Sequence, residues 1–305
     1  MKFTIVTPVF NGAAHIRSTI ESVVSQRGDF SIEYIVRDGG STDGSVSIVQ
    51  EYKDRLSKGE LVAHCKDLSI SCVSEKDQGM YDAINKGFSD GTGDILAWIN
   101  ADDYYLPGAF QVIARTFETF SEITWLKGQT CFIDENEPGT DAPAACAPCY
   151  VFEQSWIRRG IYGRYAPFIH QDSVFWRRSL WDKIKSIDHS YKLAGDYWLW
   201  TRFAEHSPLY SLNQRLSVFR SVASSLSHAH EDHYRTEQAR ALPPHRDWFE
   251  FRIKLFFWLK NKLRAEKISE TLYPLLFKRE QKDYIDMAPD NIPIKKLARS
   301  YIAHP

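Results

Sequence analysis

The groups in this chain best placed to do chemistry are carboxylates at the ends of apolar runs. Asp102 and Asp103 stand side by side in the stretch 94–107, directly after the apolar run 95–99. Adjacent carboxylates repel unless a cation lies between or beside them. Hard oxygen donors suit Mg²⁺ or Mn²⁺, and such an ion usually keeps substrate phosphates among its ligands. An isolated Asp-Asp reads more simply as a solvated turn ahead of a helix opened by Pro107, and here the surroundings decide against that. Asp38 opens a segment, Asp-Gly-Gly-Ser-Thr-Asp-Gly-Ser, whose glycines let a ligand approach the backbone. Asp196, far along the chain, begins Asp-Tyr-Trp-Leu-Trp. A carboxylate at a helix N-terminus is stabilised as the anion, and the same residue would also serve as a plain N-cap.

The elements that must position these residues alternate strand and helix from the start. A strand at 3–10 ends at Thr7-Pro8, because proline cannot donate to a ladder. Ile16, Ile20, Val23 and Val24 recur at helical spacing. A second strand at 32–36 leads into Asp38 and a helix from about residue 46, which Ser41, Thr42 or Asp43 can cap. A strand at 69–74, a polar loop at 75–79 and a helix at 80–88 follow, with Asp82 and Asn85 on one side of that helix. Then come the strand before Asp102, a helix at 107–120 and a strand at 123–133. The stretch 134–150, rich in Pro and Ala, reads as a loop or lid. This order predicts a right-handed parallel α/β sheet with the acids at its carboxyl edge. The later half carries an aromatic, basic stretch at 156–165, then 170–178, which turns into a helix near 179, and then the helix headed by Asp196.

Composition narrows the options. The net charge of −1 over 305 residues gives no nucleic-acid signal. Residues 245–305 hold 13 Lys and Arg against 8 Asp and Glu, a net of +5, which leaves −6 for 1–244. A basic tail on an acidic body points to a partner for the tail, such as an anionic membrane surface. Within it, 246–264 forms a helix whose Trp248, Phe251, Leu255, Phe256, Leu259 and Leu263 make an apolar arc beside Lys254, Lys260 and Arg264. That is the composition of an interfacial helix, and equally of one packed on the catalytic domain. Aromatics at 14% suit sites that stack on ring-shaped ligands. No apolar stretch reaches the roughly 18 residues of a membrane span. The N-terminus runs directly into a strand without an apolar leader, so a cytoplasmic location, free or peripheral on the inner face of the membrane, is the expectation. The five cysteines then read as reduced thiols, and Cys146 with Cys149 as an incidental C-x-x-C. His228, His230 and His233 are too loosely framed to make a metal site.

Five motifs coincide in order: Thr-Ile-Val-Thr-Pro-Val-Phe-Asn at 4–11; 38–45; Glu-Lys-Asp-Gln-Gly-Met-Tyr-Asp-Ala-Ile-Asn-Lys-Gly at 75–87; Asn-Ala-Asp-Asp at 100–103; and 195–200. Together they resemble a family-2 glycosyltransferase, inverting and of the glycosyltransferase A-type fold, over roughly residues 1–225. The resemblance implies a Rossmann-like, mostly parallel sheet flanked by helices, with a donor half at about 1–120 and an acceptor half at about 121–225. A helical, basic extension would occupy 226–305. It implies transfer of a sugar from a nucleotide-diphospho sugar, most simply a UDP-linked one, to a glycan or lipid-linked acceptor in surface polysaccharide synthesis. Thr7, Pro8, Asp38, Asp77, Asn85 and Asp102 would bind the nucleotide sugar. Asp103, with Asp102, would hold Mn²⁺ or Mg²⁺. Asp196 would be the general base, and His170, Asp172 and Trp176 would shape the acceptor side. Two departures are Asn100 and Gly195, where many members carry acids.

The chemistry asks for the same parts. A departing diphosphate needs its charge stabilised, which a divalent metal does as a Lewis acid. Inversion is one displacement and needs one base on the face opposite the leaving group. A nucleotidyltransferase making nucleotide sugars is a rival, but it expects a Gly-rich, basic first strand–helix turn, and 11–14 reads Asn-Gly-Ala-Ala. A catalytically inactive glycan-binding protein is the other; retention of Asp38, Asp102, Asp103 and Asp196 argues against it.

Overall fold

The computed structural model describes residues 1–134, 145–221, 231–242, 248–263 and 283–297. The first half builds β1 (Lys2–Val9), α1 (Ile16–Val24), β2 (Gly28–Asp38), α2 (Ser45–Ser57), β3 (Cys65–Ser74), α3 (Met80–Asp90) and β4 (Ile95–Trp98). These strands lie parallel in the order β4-β1-β2-β3. β1 and β4 are buried nearly throughout, as strands covered on both faces must be; β4 is wholly apolar, and β1 is apolar but for Lys2 and two buried threonines, Thr4 and Thr7. The chain steps outward from β1 to β3 and then returns to the other side of β1 with β4. The strand order therefore reverses between β1 and β4, and a crevice opens at their carboxyl ends.

The second half continues the same sheet. It comprises β5 (Tyr104–Tyr105), α4 (Ala109–Thr119), β6 (Trp125–Asp134), β7 (Ala145–Cys146), α5 (Gln154–Arg158), a 3₁₀ turn (Gln171–Ser173), β8 (Val174–Arg177), α6 (Arg178–Ile184), α7 (Gly195–His206) and β9 (Tyr210–Ser221). β8 runs antiparallel between β4 and β6, and β9 lies parallel to β6. The donor and acceptor halves thus share one sheet. After β9 come α8 (Glu231–Arg240), α9 (Trp248–Leu263), β10 (Asp283–Met287) and β11 (Pro293–Leu297). The extension is therefore not purely helical: β10 pairs with β9, and β11 closes that edge as a hairpin.

The aromatic residues do different work from that expected. Trp98, Trp125, Trp176, Trp181 and Trp200 are buried in one cluster with Phe88 and Phe203. Trp200 of α7 stacks on Trp98 of β4, with centroids 5.6 Å apart and planes at 9°, and on Trp125 of β6 at 5.9 Å. A buried Trp removes about 200 Å² from water, on the order of 5 kcal/mol each. This cluster clamps α7 to the strand that leads into Asp102. The thiols also depart from expectation. Cys131 and Cys146 face each other across β6 and β7 and form a disulfide, whereas Cys149 is buried and free.

The helix α9 packs on the core through Ile253 and Phe256, both buried, and Phe257 lies 6.2 Å from Trp156. Phe251 and Trp258 face outward at 54% and 55% exposure. The buried stripe is thus rotated from the expected arc, because Ile253 is fully buried and Phe251 is exposed. The side chains of Trp248, Leu259 and Leu263, as well as His228, His230 and residues 135–144, lie outside the described set. No helix among the described residues is long and apolar enough to cross a membrane.

Candidate active site

Asp38 ends β2 beside Val9 of β1. Its Oδ2 accepts the N–H groups of Gly40 and Ser41, each at 3.0 Å, and the Ser74 hydroxyl at 2.6 Å. Burial opposes ionisation, but these donors outweigh it and hold the carboxyl below the ordinary carboxylate range. Oδ1 is buried with no partner, an acceptor awaiting a donor. Asp77 lies against the same turn: a Cβ on Gly39 would sit 2.8 Å from Asp77 Oδ2, while Oδ1 accepts Gly79 N–H at 2.8 Å. The fold thus brings Asp38 and Asp77 together.

Other expected nucleotide contacts are engaged elsewhere. Thr7 is fully buried, and its hydroxyl accepts from Tyr34 at 3.1 Å, because strand alternation turns it into the sheet's packing layer. Pro8 is buried too. Asn85 spends both amide atoms on the backbone of Ile187, accepting its N–H and donating to its carbonyl, each at 2.8 Å. Asn85 therefore anchors the segment that precedes α7.

The two acids after β4 differ sharply. Asp103 is completely buried, and its Oδ1 accepts Arg220 N–H at 2.9 Å. Its Oδ2 is buried without a partner. Burial, then the nearby Asp102 and Asp172, push its pKa well up. Asp102 is the half-buried member and the one with access to solvent. The turn is fixed from two sides. Thr19 of α1 donates to the carbonyls of Ala101 and Asp103 at 2.8 and 2.7 Å, and Arg220 Nε donates to Asp102 O at 3.0 Å. Sequence reading missed Arg220, because its role exists only where β9 runs beside the acid turn.

The chemistry of this donor set fits a divalent ion. Among the described residues no group of three or more His, Cys, Asp or Glu converges as a complete cage. One or two carboxylates is what Mg²⁺ or Mn²⁺ uses when phosphates complete its shell. The partnerless Asp103 oxygen within an acidic cluster is the kind of group a nearby cation would relieve.

Asp172 is fully buried beneath this turn; it accepts the Ser217 hydroxyl through Oδ2, and its Oδ1 is buried without a partner. Lys127, which sequence reading also missed, is the buried cation of this layer. It donates to Gly128 O at 2.9 Å and Ser173 Oγ at 3.0 Å, and burial pushes its pKa down to about 8. A lone lysine inside the apolar run Trp-Leu-Lys was the available signal. His170 packs among Phe132, Phe168 and Phe219, and burial pushes it down to about 4, so it is neutral. Trp176 is wholly buried in the aromatic core and does not line an acceptor site.

Asp196 lies in the first turn of α7, one residue past its start, and the N-cap position is held by Ala194. Asp196 is only 6% exposed. Oδ1 accepts Tyr197 N–H at 2.7 Å and lies 3.4 Å from the Tyr81 hydroxyl. Burial pushes its pKa up to about 7, against the pull of those bonds and with the help of Glu237. Tyr81 explains the absence of an acid at 195: a Cβ there would lie 2.7 Å from the Tyr81 ring. The phenol occupies the space that a larger residue would need.

Comparison with known proteins agrees with this architecture. The family model described as "Glycosyl transferase family 2" matches residues 4–168, more than half of the chain. An uncharacterised glycosyltransferase of Nostoc sp. is 27% identical over 148 residues, 48% of this chain and 42% of that protein. A "PGL/p-HBAD biosynthesis glycosyltransferase" of Mycobacterium bovis is 26% identical over 205 residues, 64% of this chain and 66% of that one. The chain thus spans less than two thirds of the length of these relatives. Among solved structures, S. aureus TarS 1-349 in complex with UDP-GlcNAc superimposes with a TM-score of 0.59 at 15% identity, covering 89% of this chain and 76% of that one.

Proposed function

The chain belongs to glycosyl transferase family 2, and on that footing we propose that it is an inverting glycosyltransferase using a nucleotide-diphospho sugar. The observation that carries the reading is Asp196. It is a buried carboxylate heading α7, remote in sequence from the Asp102 and Asp103 turn yet joined to it through the Trp98–Trp200 stack. One base and one separate acid turn are the parts a single displacement requires.

In this reading Asp38 receives the nucleobase. Its partnerless Oδ1 accepts a pyrimidine N3–H, which favours a uridine donor, with Asp77 beside it. Asp102, having solvent access, would hold Mn²⁺ or Mg²⁺ where the diphosphate binds, while Asp103 and Arg220 fix the turn. The ion, when bound, neutralises charge on the departing diphosphate. Asp196 takes the proton from the acceptor hydroxyl as that oxygen bonds the anomeric carbon and the bond to the diphosphate breaks. Asp172 and Lys127 support the floor of the site and do not touch the sugar.

The acceptor is a glycan or a lipid-linked glycan, and the role is surface polysaccharide or glycolipid synthesis. The outward Phe251 and Trp258 of α9, flanked by exposed Lys254, support contact with an anionic membrane face. Co-sedimentation with anionic liposomes checks that contact, and equal binding after Phe251→Ala plus Trp258→Ala removes it. The test of the function is a screen of nucleotide sugars for release of the nucleoside diphosphate in the presence of Mn²⁺. Release from UDP sugars is the expected result, and release from none of the donors overturns the reading.

A further inference from the structure

We propose that Glu237 of α8 is a positioning residue for the reaction, holding the backbone run that presents Asp196. The proposal rests on Asp196 being the base. Glu237 lies beyond the matched family segment, in a helix that sequence reading left without a role.

The geometry is specific. Glu237 Oε2 accepts the N–H groups of Leu193 at 2.9 Å and Ala194 at 2.8 Å, and both oxygens accept Lys192 N–H, at 2.9 and 3.1 Å. Three successive backbone donors aimed at one carboxylate form an anion nest. The run they fix ends immediately before Gly195 and Asp196. On its other side Tyr81 accepts Asp196 N–H at 3.2 Å and donates to Leu193 O at 2.9 Å. With Gly195 pressed against the Tyr81 ring, the backbone at 192–196 sits between Glu237 and Tyr81. Arg240 adds a tie from the same helix to Ser190 O at 2.9 Å.

Charge gives the clamp a second effect. The titratable groups facing Asp196 are Tyr81 from α3 and Tyr234 and Glu237 from α8, while Tyr197 of its own helix turns its hydroxyl to Gly160 O. Burial holds all three phenols above their ordinary value, so they stay neutral. Glu237 is the anion of this set, and it adds to burial in making Asp196 a stronger base.

A glutamine at 237 offers one oxygen to donors now served by two and removes the charge. Misplacing a reacting group by about 1 Å can cost on the order of 10²-fold in rate. Glu237→Gln should therefore lower kcat about tenfold to a hundredfold and leave the donor KM near that of the wild type. The acid limb of kcat/KM should move to lower pH. Glu237→Asp keeps the charge but shortens the reach, so kcat should fall while the limb stays in place. That variant carries the test if the glutamine protein does not fold. A purely structural role predicts lower melting temperatures with kcat and limb unchanged in both, and that result overturns the proposal. Asp196→Asn measured alongside separates the two readings. Near-normal turnover there removes the base itself. An inactive Asp196→Asn beside a fully active Glu237→Gln removes only the positioning role.

Discussion

Asp196→Asn tests the mechanism most directly, because the two roles open to this side chain predict opposite signs. Asparagine keeps the volume and an oxygen that can accept Tyr197 N–H at the present 2.7 Å. It loses the basicity. A general base contributes about 10²–10⁴-fold in rate, so turnover should fall by that factor with donor affinity nearly unchanged. Stability should move the other way. In the folded protein burial raises the carboxyl to about 7. In the unfolded chain it titrates near 3.9. The folded state therefore holds the proton more tightly. Any advantage of the protonated carboxyl is complete below about pH 4 and is lost as pH rises through about 7. At pH 8 the wild type thus bears an ionisation cost of about 4 kcal/mol, as an upper bound, which the neutral asparagine does not. Scanning calorimetry at several pH values should find the variant at least as stable as wild type at pH 8. That advantage should shrink steadily toward pH 4. Turnover of nucleotide sugar, donor affinity by calorimetry and melting temperature complete the set. Near-normal turnover at pH 8, or a variant clearly less stable than wild type there, would refute the assignment and leave Asp196 as a structural residue of the first turn of α7.

Three other outcomes follow from the site. Asp102→Ala should weaken Mn²⁺-dependent UDP binding by about tenfold or more, measured by calorimetry with and without the ion; unchanged metal-dependent affinity would return the role to Asp103. Asp38→Asn should turn an amide toward the base. A charge-assisted hydrogen bond worth about 1.5–3 kcal/mol would be lost, and UDP affinity should fall about tenfold to a hundredfold; competition that ranks GDP above UDP for the unmutated chain would contradict the uridine preference. Gly195→Ala should destabilise by about 1–3 kcal/mol through overpacking against the Tyr81 ring, 2.7 Å from the added Cβ, as read by denaturant titration.

Much of the architecture was legible because local pattern and tertiary fate coincide where strands are wholly buried. The runs behind β1 and β4 admit few other placements; the abrupt polar end of β4 puts Asp102 at the sheet's carboxyl edge, and Asp38, the last residue of β2, lies there beside the end of β1. The five ordered motifs were enough to indicate the family. What the sequence could not show is which atoms of a motif face a ligand. A strand period of two sends Thr7 into the packing layer, and a tight turn buries Asp103 while leaving Asp102 accessible. Both outcomes depend on neighbours distant in the chain: Tyr34 for the first, Arg220 for the second. The aromatic residues carried the wrong implication for the same reason. Composition does not distinguish a stacking platform from a core, and only the crossing of α7 over β4 and β6 makes Trp98, Trp125 and Trp200 one cluster. The cradle of Asp196 lay furthest from view. Tyr81, Gly195 and Glu237 are separated by more than 150 residues from first to last, and each looks ordinary alone. Residue types and spacing determined that a base could exist at Asp196; its burial and its support were decided by packing between elements, which local sequence does not encode.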